Sequence, residues 1–463
     1  MDVKQYIVGC AANIRHALIQ IEKNHLGVVF VADEKNEIRG VATDGDVRRF
    51  LLAGGTLDEP IVSAMNKEFT WVEDGITLEL LLKKFDEKVQ VLPVLNNERQ
   101  LVNVVTRDNQ KIPAEEPVFA RARAPVRISF GGGGSDLTHY FSGENIGAVI
   151  NSTISLFCHA TLKKRSDSRV LIESLDLRDT LKAPNLDAAL REKGSFKLIQ
   201  SVLQAIRPNF GFELCIDSDF PIGSGLGGSA TVCAAILGCF NQFRTDKWTP
   251  HELAEIAYKA ERHLLGIVGG WQDQYATVFG GFNFIEFHEL QNVVHPLRIG
   301  GDILSELEES LILCNTGITH DSGALHIDQK KQMSKMKTNM LMSENVRICY
   351  HLRDNLIRGN LAKVGSLLDE SWRLKKQFSR QISTTDLDQI YDGAIEQGAL
   401  GGKLLGAGGG GFFLFYVPPF QKHSLIQYLE NLGLMVQPFQ FDALGLKSWS
   451  VRENNYPTWD DSR

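Results

Sequence analysis

Residues 221–230, Pro-Ile-Gly-Ser-Gly-Leu-Gly-Gly-Ser-Ala, are the stretch that decides the fold of this chain. Alternating apolar residues at 212–218 predict a β-strand before it, and the Ala-, Leu-, Val- and Ile-rich run 230–243 predicts a buried helix after it. A glycine-rich loop between a strand and a helix N-terminus favours phosphate binding, because the backbone can approach the anion and the helix dipole attracts it. The alternative is a tight turn without a ligand. No Gly-Lys-Ser/Thr follows, so the loop is not a Walker A motif.

The composition indicates a soluble globular protein of two or three domains. The chain has 463 residues, 43% hydrophobic and 23% charged, and contains no apolar run long enough to span a membrane. Seven scattered cysteines without C-x-x-C spacing favour free thiols in a reducing compartment over a zinc site. The formal net charge of −7 argues against nucleic acid as a partner. We therefore expect a cytoplasmic protein whose partners are neither nucleic acid nor membrane.

The N-terminal residues 1–112 contain an internal repeat. The segments 28–46 and 91–109 align at a constant offset of 63 residues. Each copy predicts a helix, two short strands and a helix, a unit that needs its partner to close a core. The pair resembles a tandem of CBS domains, whose role in that family is to bind adenosine nucleotides. The resemblance implies that Thr43 and Asp46 hold the ribose hydroxyls of one nucleotide.

The second copy departs from the CBS pattern, because Asn109 stands where the aspartate is expected. One competent nucleotide site is therefore favoured over two. A docking or dimerisation module without a ligand is the alternative, and a homodimer stays open. Two prolines and two acidic residues in 111–117 mark the end of the module, so we assign 113–120 to a linker and start a new domain near Arg121.

Two further glycine-rich segments follow in this domain. Four consecutive glycines at 131–134 come directly after a predicted strand, where glycine adds no packing and indicates a close approach of ligand or backbone. The carboxylate of Asp136 can accept hydrogen bonds from sugar hydroxyls. The segment 401–413 contains the other run and leads into a predicted strand, 412–417. Three such loops, far apart in sequence, predict convergence on one anionic ligand.

Two carboxylates have a functional and a plain structural interpretation. The pattern at 251–266 predicts an amphipathic helix, and Glu261 lies beside its apolar face. Glu261 could be a metal ligand, or it could pair with Arg262 or Lys259. Asp273 lies in a turn rich in glycine and side-chain amides. Its role could be that of an acid–base residue or that of a helix N-cap. Predicted strands at 148–162 and 170–175 are joined by the basic turn 163–167, which we interpret as a solvated hairpin tip.

Together these motifs resemble the GHMP kinase superfamily over about residues 121–452. The segments 123–130, 266–275, 280–284 and 371–376 are most similar to the bacterial D-glycero-D-manno-heptose 7-phosphate kinases. The resemblance implies a two-lobed α+β fold preceded by the α/β CBS pair. A ribosomal-protein-S5-like half with a left-handed βαβ unit would cover 121–310, a ferredoxin-like half 311–452, and a tail 453–463.

The resemblance also implies the chemistry, which is ATP- and Mg²⁺-dependent phosphorylation of a sugar phosphate. The expected acceptor is the C1 hydroxyl of D-glycero-D-manno-heptose 7-phosphate, for nucleotide-activated heptose and surface polysaccharide. Asp273 would accept or position the hydroxyl proton, and Ser229 and Glu261 would ligate Mg²⁺. The implied ATP residues are Pro221, Gly223, Ser224, Gly225, Leu226, Gly227, Gly228 and Ser229. The implied substrate residues are Arg127, Gly133, Gly134, Asp136, Gly270, Arg373, Lys376, Gly408 and Gly409, with Lys375 as a further candidate.

Two alternatives to this activity stay open. One is another GHMP sugar 1-kinase of the fucokinase or galactokinase type. The other is a sugar or nucleotide sensor that has lost catalysis. A sensor needs neither a metal carboxylate nor a base, so the presence of Ser229, Glu261 and Asp273 together favours an enzyme.

Overall fold

The computed structural model describes residues 3–85, 89–107, 118–318, 336–379 and 381–452. The chain divides into two compact units, Met1–Glu116 and Pro117–Arg463. Most of the predicted linker, 113–120, and the whole predicted tail, 453–463, lie outside the described residues. The first strand of the second unit begins at Phe119, two residues before the domain start expected from the sequence.

The first unit consists of two copies of one small α/β motif. Its two three-stranded sheets have the orders β1-β2-β3 and β4-β5-β6, and each combines one parallel and one antiparallel pairing. The predicted repeat offset is confirmed, since β2 and β5 again begin 63 residues apart, as do β3 and β6. The elements are β1 Ile7–Gly9, α1 Ile14–Asn24, β2 Val28–Ala32, β3 Ile38–Thr43, α2 Asp44–Leu52, β4 Val72–Glu73, α3 Leu78–Lys84, β5 Val91–Leu95 and β6 Leu101–Thr106.

The two copies share one apolar core, as expected for repeats that cannot bury their apolar faces alone. Phe30 and Ile38 of the first copy are buried in one cluster with Leu95, Leu101 and Val104 of the second. Neither small sheet could bury these side chains alone, which is why the unit needs both copies. The equivalent of α2 in the second copy, including Asn109, lies outside the described residues.

The second unit begins with an eight-stranded sheet. Its main strand order is β10-β9-β11-β8-β12-β13, and β7 pairs with both β8 and β18. The elements of this lobe are β7 Phe119–Gly131, α4 Thr138–Phe141, β8 Gly147–Lys164, β9 Val170–Ser174, β10 Asp179–Ala183, α5 Leu186–Arg191, α6 Lys197–Ile206, β11 Phe212–Ser218, α7 Gly228–Gln242, α8 Pro250–Tyr258, a π-helical turn Lys259–Leu264, α9 Gln272–Phe279, β12 Phe282–Phe287, β13 Asn292–Pro296 and α10 Gly301–Ser310.

The predicted hairpin between β8 and β9 is wrong. Strand β11 lies between them, antiparallel to β8 and parallel to β9. The basic turn 163–167 is not a freely solvated tip either, because Arg165 pairs with both Asp167 and Glu213. The strand prediction at 212–218 and the helix that follows the glycine loop are both confirmed, and the helix begins at Gly228.

The other lobe is built on a four-stranded antiparallel sheet of order β15-β16-β14-β17. With helices connecting these strands, this is the strand order of a ferredoxin-like fold, as expected. The elements are β14 Leu311–Asn315, α11 Met336–Arg358, α12 Leu361–Lys376, α13 Thr385–Glu396, β15 Gly401–Leu404, β16 Phe412–Tyr416, α14 Lys422–Asn431, β17 Met435–Gln437 and β18 Lys447–Val451.

The last strand does not stay with its own lobe. β18 pairs antiparallel with β7 in the eight-stranded sheet, so the expected C-terminal half, 311–452, is structurally discontinuous. One apolar cluster extends through both sheets, with Phe130 and Ile150 at one end and Trp372 and Phe413 at the other.

Among the described residues, no helix is both long and apolar enough to cross a bilayer. All seven cysteines are free thiols.

Candidate active site

A cleft of about 340 Å³ in the second unit is bordered by all three glycine-rich segments. Residues 133–134 come from the first segment, most of 223–229 from the second and 406–407 from the third. The second and third segments touch, because a Cβ added to Gly406 would lie 2.8 Å from the Cα of Gly225. The structure therefore brings the three loops to one place.

The predicted phosphate loop connects β11 to the N-terminus of α7. The first backbone N–H groups of a helix have no partners within it, so this end of α7 offers donors and a positive dipole to an anion. Leu226 is the exception among the predicted ATP residues, because its side chain is fully buried in the core. The others border the cleft: Pro221, Gly223, Ser224, Gly225, Gly227, Gly228 and Ser229.

An ion pair between Arg127 and Asp273 lies against this loop. The Arg127 Nη2 is 2.6 Å from the Asp273 Oδ1, its Nε donates to the same oxygen at 2.9 Å, and its Nη1 donates to the Gly225 carbonyl at 2.7 Å. The arginine side chain is only 4% exposed and the aspartate 20%. Among the described residues both of these bonds to Asp273 go to Oδ1, which leaves Oδ2 available to a substrate. α9 has Trp271 at its N-cap, so Asp273 is not the cap.

Glycine at position 227 lets the loop backbone approach the carboxylate. Gly227 has a φ of +82°, and an added Cβ would lie 3.3 Å from the Asp273 Cγ. A side chain there would be strained by the backbone angle and would press on the ion pair. The lack of a side chain at Gly227 therefore lets the loop backbone lie beside the carboxylate.

Asp136 joins the first glycine segment to the turn before α9. Its Oδ1 accepts from the Gly134 N–H at 2.9 Å and its Oδ2 from the Gln272 N–H at 3.1 Å. A Cβ added to Gly270 would lie 1.8 Å from Oδ2, so only glycine fits at that position. Burial, together with the nearby Asp273 carboxylate, raises the pKa of Asp136. Asp136, Gly133, Gly134 and Gly270 all border the cleft, as expected of substrate residues.

Glu261 lies in the π-helical turn that follows α8 and is only 2% exposed. Its Oε2 accepts a hydrogen bond from the Gln274 Nε2, and its Oε1 lies 3.8 Å from the Arg262 Nη1. Burial raises the pKa of Glu261 despite the nearby Arg262. Glu261 and Ser229 border the same cleft. Within the described chain, no three His, Cys, Asp or Glu side chains form a metal cage.

The far end of the cleft was not found from the sequence. Asp176 accepts from the Ser218 N–H at 3.0 Å and from the Ser218 hydroxyl at 2.8 Å, and burial raises its pKa. Apolar side chains line the same cleft. Among them are Leu198, Ile199, Ile216, Phe220 and Val232.

Four predicted substrate residues are not brought to the cleft. Arg373 is exposed and pairs with Asp369, while Lys376 pairs with Asp388. Gly408 and Gly409 instead pack against residue 382: a Cβ on Gly408 would lie 3.0 Å from its Cα, and the Gly409 N–H donates to its carbonyl at 2.8 Å. Arg373 and Lys376 share one face of the helix, and Lys375, which faces away from both, borders the cleft instead.

In the first unit, Thr43 and Asp46 are bonded to each other. The Asp46 N–H donates to the Thr43 hydroxyl at 3.1 Å, and the Thr43 N–H donates to the Asp46 carboxylate at 2.9 Å. This is a capping box that begins α2. The two predicted nucleotide residues thus cap the N-terminus of α2.

The fold and the site define the class of protein. A profile of the GHMP kinase N-terminal domain matches residues 196–281, and one of the GHMP kinase C-terminal domain matches 352–431. The CBS domain profile matches 5–53 and 61–109. The chain belongs to the GHMP kinases, a family of ATP-dependent kinases, and carries a CBS pair at its N-terminus, which confirms the expected family and fold.

Among its relatives is the D-glycero-alpha-D-manno-heptose 7-phosphate kinase of Campylobacter jejuni, 37% identical over 337 residues, or 72% of this chain and 99% of the relative. A solved D-glycero-D-manno-heptose 1-phosphate kinase from Bacteroides thetaiotaomicron superimposes with a TM-score of 0.60 at 29% identity, covering 72% of this chain and 99% of that one. The bifunctional fucokinase/GDP-fucose pyrophosphorylase of Arabidopsis thaliana is 27% identical, over 73% of this chain and 33% of its own length.

Replacing Asp273 by Asn should lower kcat by a factor on the order of 10² or more, because the amide cannot take the proton of an attacking hydroxyl. ATP binding, measured by calorimetry, should change little, which also shows that the variant is folded. Asp302→Asn, at an exposed aspartate on α10, is the matched control and should turn over like the wild type. Near wild-type turnover by Asp273→Asn would remove any catalytic role for this carboxylate.

Proposed function

We propose that this chain is an ATP- and Mg²⁺-dependent kinase that phosphorylates D-glycero-D-manno-heptose 7-phosphate at its C1 hydroxyl. The observation that carries the proposal is the Arg127–Asp273 pair, which faces the same cleft as the phosphate loop. The 37% identity to a heptose 7-phosphate kinase supports the choice of sugar. The product would be an intermediate for nucleotide-activated heptose and surface polysaccharide.

In this cleft the nucleotide would lie along the phosphate loop. The apolar lining residues, among them Leu198 and Phe220, suit a purine base, and the Asp176 carboxylate can accept hydrogen bonds from ribose hydroxyls. The N–H groups at the start of α7 would then hold the phosphates. The γ-phosphoryl group would point toward Asp273, because Gly227 of the loop lies beside that carboxylate.

Asp273 would hold the attacking hydroxyl in line and take its proton. The sugar oxygen forms a bond to the γ-phosphorus while the bond to the β–γ bridging oxygen breaks, and ADP leaves. Arg127 occupies Oδ1 of Asp273 from two of its nitrogens and so fixes the orientation of Oδ2. Phosphoryl transfer depends on such positioning and on charge neutralisation more than on covalent catalysis.

The residues at Glu261 fit a magnesium ion. Glu261 and Ser229 offer a carboxylate and a hydroxyl oxygen, and Gln274 adds a buried amide oxygen that has no hydrogen-bond partner among the described residues. Mg²⁺ prefers oxygen ligands and keeps several waters, so few protein ligands suffice. When bound, the ion neutralises charge on the transferring phosphates. Glu261 and Ser229 would hold it.

A phosphorylated heptose should be a better substrate than the free sugar by a factor on the order of 10² or more in kcat/KM, because cations that meet a phosphate lose their partner when it is absent. The measurement compares D-glycero-D-manno-heptose 7-phosphate with free heptose, L-fucose and D-galactose under one set of conditions. Equal or higher kcat/KM for a free sugar would favour a fucokinase- or galactokinase-like enzyme. Absence of turnover with any of them, despite ATP binding, would favour a sensor.

Replacing Glu261 by Gln should raise the Mg²⁺ concentration needed for half-maximal rate by about tenfold or more, since one anionic ligand is lost. Burial raises the pKa of Glu261, so in the wild type the Mg²⁺ requirement should increase as the pH falls toward that pKa and the carboxylate is protonated. Glu255→Gln, at an exposed residue of α8, is the control. An unchanged Mg²⁺ requirement in Glu261→Gln would exclude the carboxylate as a ligand.

We further propose that the CBS pair binds an adenosine nucleotide and adjusts the kinase. AMP should shift the affinity of the full chain for its substrates by about 5- to 150-fold, the usual range of allosteric coupling. Asp46→Ala should abolish this response, whereas Asp44→Ala, at the exposed neighbour that pairs with Arg48, should retain it. AMP binding by calorimetry and steady-state kinetics are the measurements. A wild-type chain that ignores AMP would leave the pair as a docking or dimerisation module.

A further inference from the structure

A second, smaller cavity lies directly beside the cleft and is lined by polar groups. Its volume is about 20 Å³, enough for one or two waters. Gly133, Gln272, Lys375 and Gly406 border both cavities, so the two cavities share a wall. Its other lining residues are Ser129, Asn345, Ser371 and Lys403.

Lys403 is the unusual member of this group. Its side chain is only 3% exposed, and among the described residues it has neither an ion pair with a carboxylate nor a hydrogen bond. A buried, unpaired ammonium group is costly unless an anion or a polar network compensates it. Nothing in the strand β15 requires a lysine, since its neighbours Gly402 and Leu404 are apolar and buried.

Lys375 brings a second ammonium group to the same wall. Its Nζ donates to the Gly406 carbonyl at 2.6 Å and to the Leu404 carbonyl at 3.2 Å, and it retains a third donor. None of the described residues that line the small cavity has a carboxylate. The side chains of Ser129 and Gln272 each have a buried oxygen without a hydrogen-bond partner in the described part of the chain. The cavity wall thus has two lysine amino groups and unpaired polar atoms, and none of its described lining residues is acidic.

Resting on the function proposed above, we infer that Lys375 and Lys403 form the subsite that binds the phosphate group of the sugar substrate. The phosphate lies in the cleft at the wall shared with the small cavity, and meets Lys375 directly. A water inside the cavity, held by Lys403 and Ser129, connects Lys403 to a phosphate oxygen. This placement separates the substrate phosphate from the phosphates of ATP, which lie on the loop 223–229.

The electrostatics of the pair agree with an anion subsite. Burial and the neighbouring Lys403 and Arg127 hold the pKa of Lys375 well below its usual range. Burial, with Arg127 adding to it, lowers the pKa of Lys403 to about 8, while the Cys349 thiol opposes that effect. Binding of an anion favours the charged form of both lysines. The contribution of Lys403 to the affinity for the phosphorylated sugar should therefore decline as the pH rises through about 8.

The test compares Lys403→Met with Lys403→Arg and with Lys363→Met, an exposed lysine on α12. Lys403→Met should lower kcat/KM for heptose 7-phosphate by about 10- to 150-fold, the loss expected for a hydrogen bond to a charged group. Its kcat/KM for free heptose and its KM for ATP should stay within about threefold of the wild type. Lys403→Arg should recover part of the loss, and Lys363→Met should behave like the wild type.

Equal losses of kcat/KM with both sugars, or a raised KM for ATP alone, would overturn the proposal, because the anion at Lys403 would then not be the substrate phosphate.

A second experiment does not depend on the identity of the sugar. Inorganic phosphate is titrated into enzyme saturated with Mg²⁺ and a non-hydrolysable ATP analogue, which occupies the γ-phosphate position. Binding that is lost in Lys403→Met supports the subsite even if heptose 7-phosphate is not the substrate. Equal binding by Lys403→Met and wild type would overturn it.

Discussion

The structure of the second unit depends on one buried ion pair. The guanidinium of Arg127 is almost fully buried, and without Asp273 it would be an uncompensated charge next to the phosphate loop. It also binds the Gly225 carbonyl, so strand β7, the loop and helix α9 are fixed relative to one another. Glycine at 227 and 270 leaves room for this arrangement, because a Cβ at either position would press on Asp273 or on Asp136. The contacts that would position Asp273 for catalysis are thus also contacts that pack the loop against the strand and the helix.

The sequence predicts those parts of the molecule whose signals are local. The strand and helix around the loop 223–229 follow from alternation, helix-forming residues and glycine, and the structure has both. The internal repeat is visible in the sequence as two similar segments 63 residues apart, and the strands of the two sheets in the first unit have the same spacing. The arrangement of β9 beside β11 rather than β8, and the return of β18 to β7, depend on pairing between distant segments. No residue pattern within either strand specifies such partners.

The proposed phosphate subsite shows why it is hard to predict from sequence which side chains of a helix face a cleft. Arg373, Lys375 and Lys376 all look suitable, but successive residues of a helix differ by about 100° in direction. Only Lys375 turns toward the cleft, while the other two pair with Asp369 and Asp388. Lys403 gave no signal, because burial of a strand lysine is decided by the helix and loops that cover it.

The central claim is that this cleft transfers a phosphoryl group to the C1 oxygen of a heptose that already carries a phosphate. The names of two relatives place the phosphate differently, as heptose 7-phosphate in one and heptose 1-phosphate in the other. ³¹P NMR of the reaction of ATP with heptose 7-phosphate decides the matter. The account predicts a second sugar phosphorus signal, coupled to the anomeric proton, that appears as ATP is converted to ADP. ATP consumption without that signal, or no consumption dependent on the sugar, would contradict it.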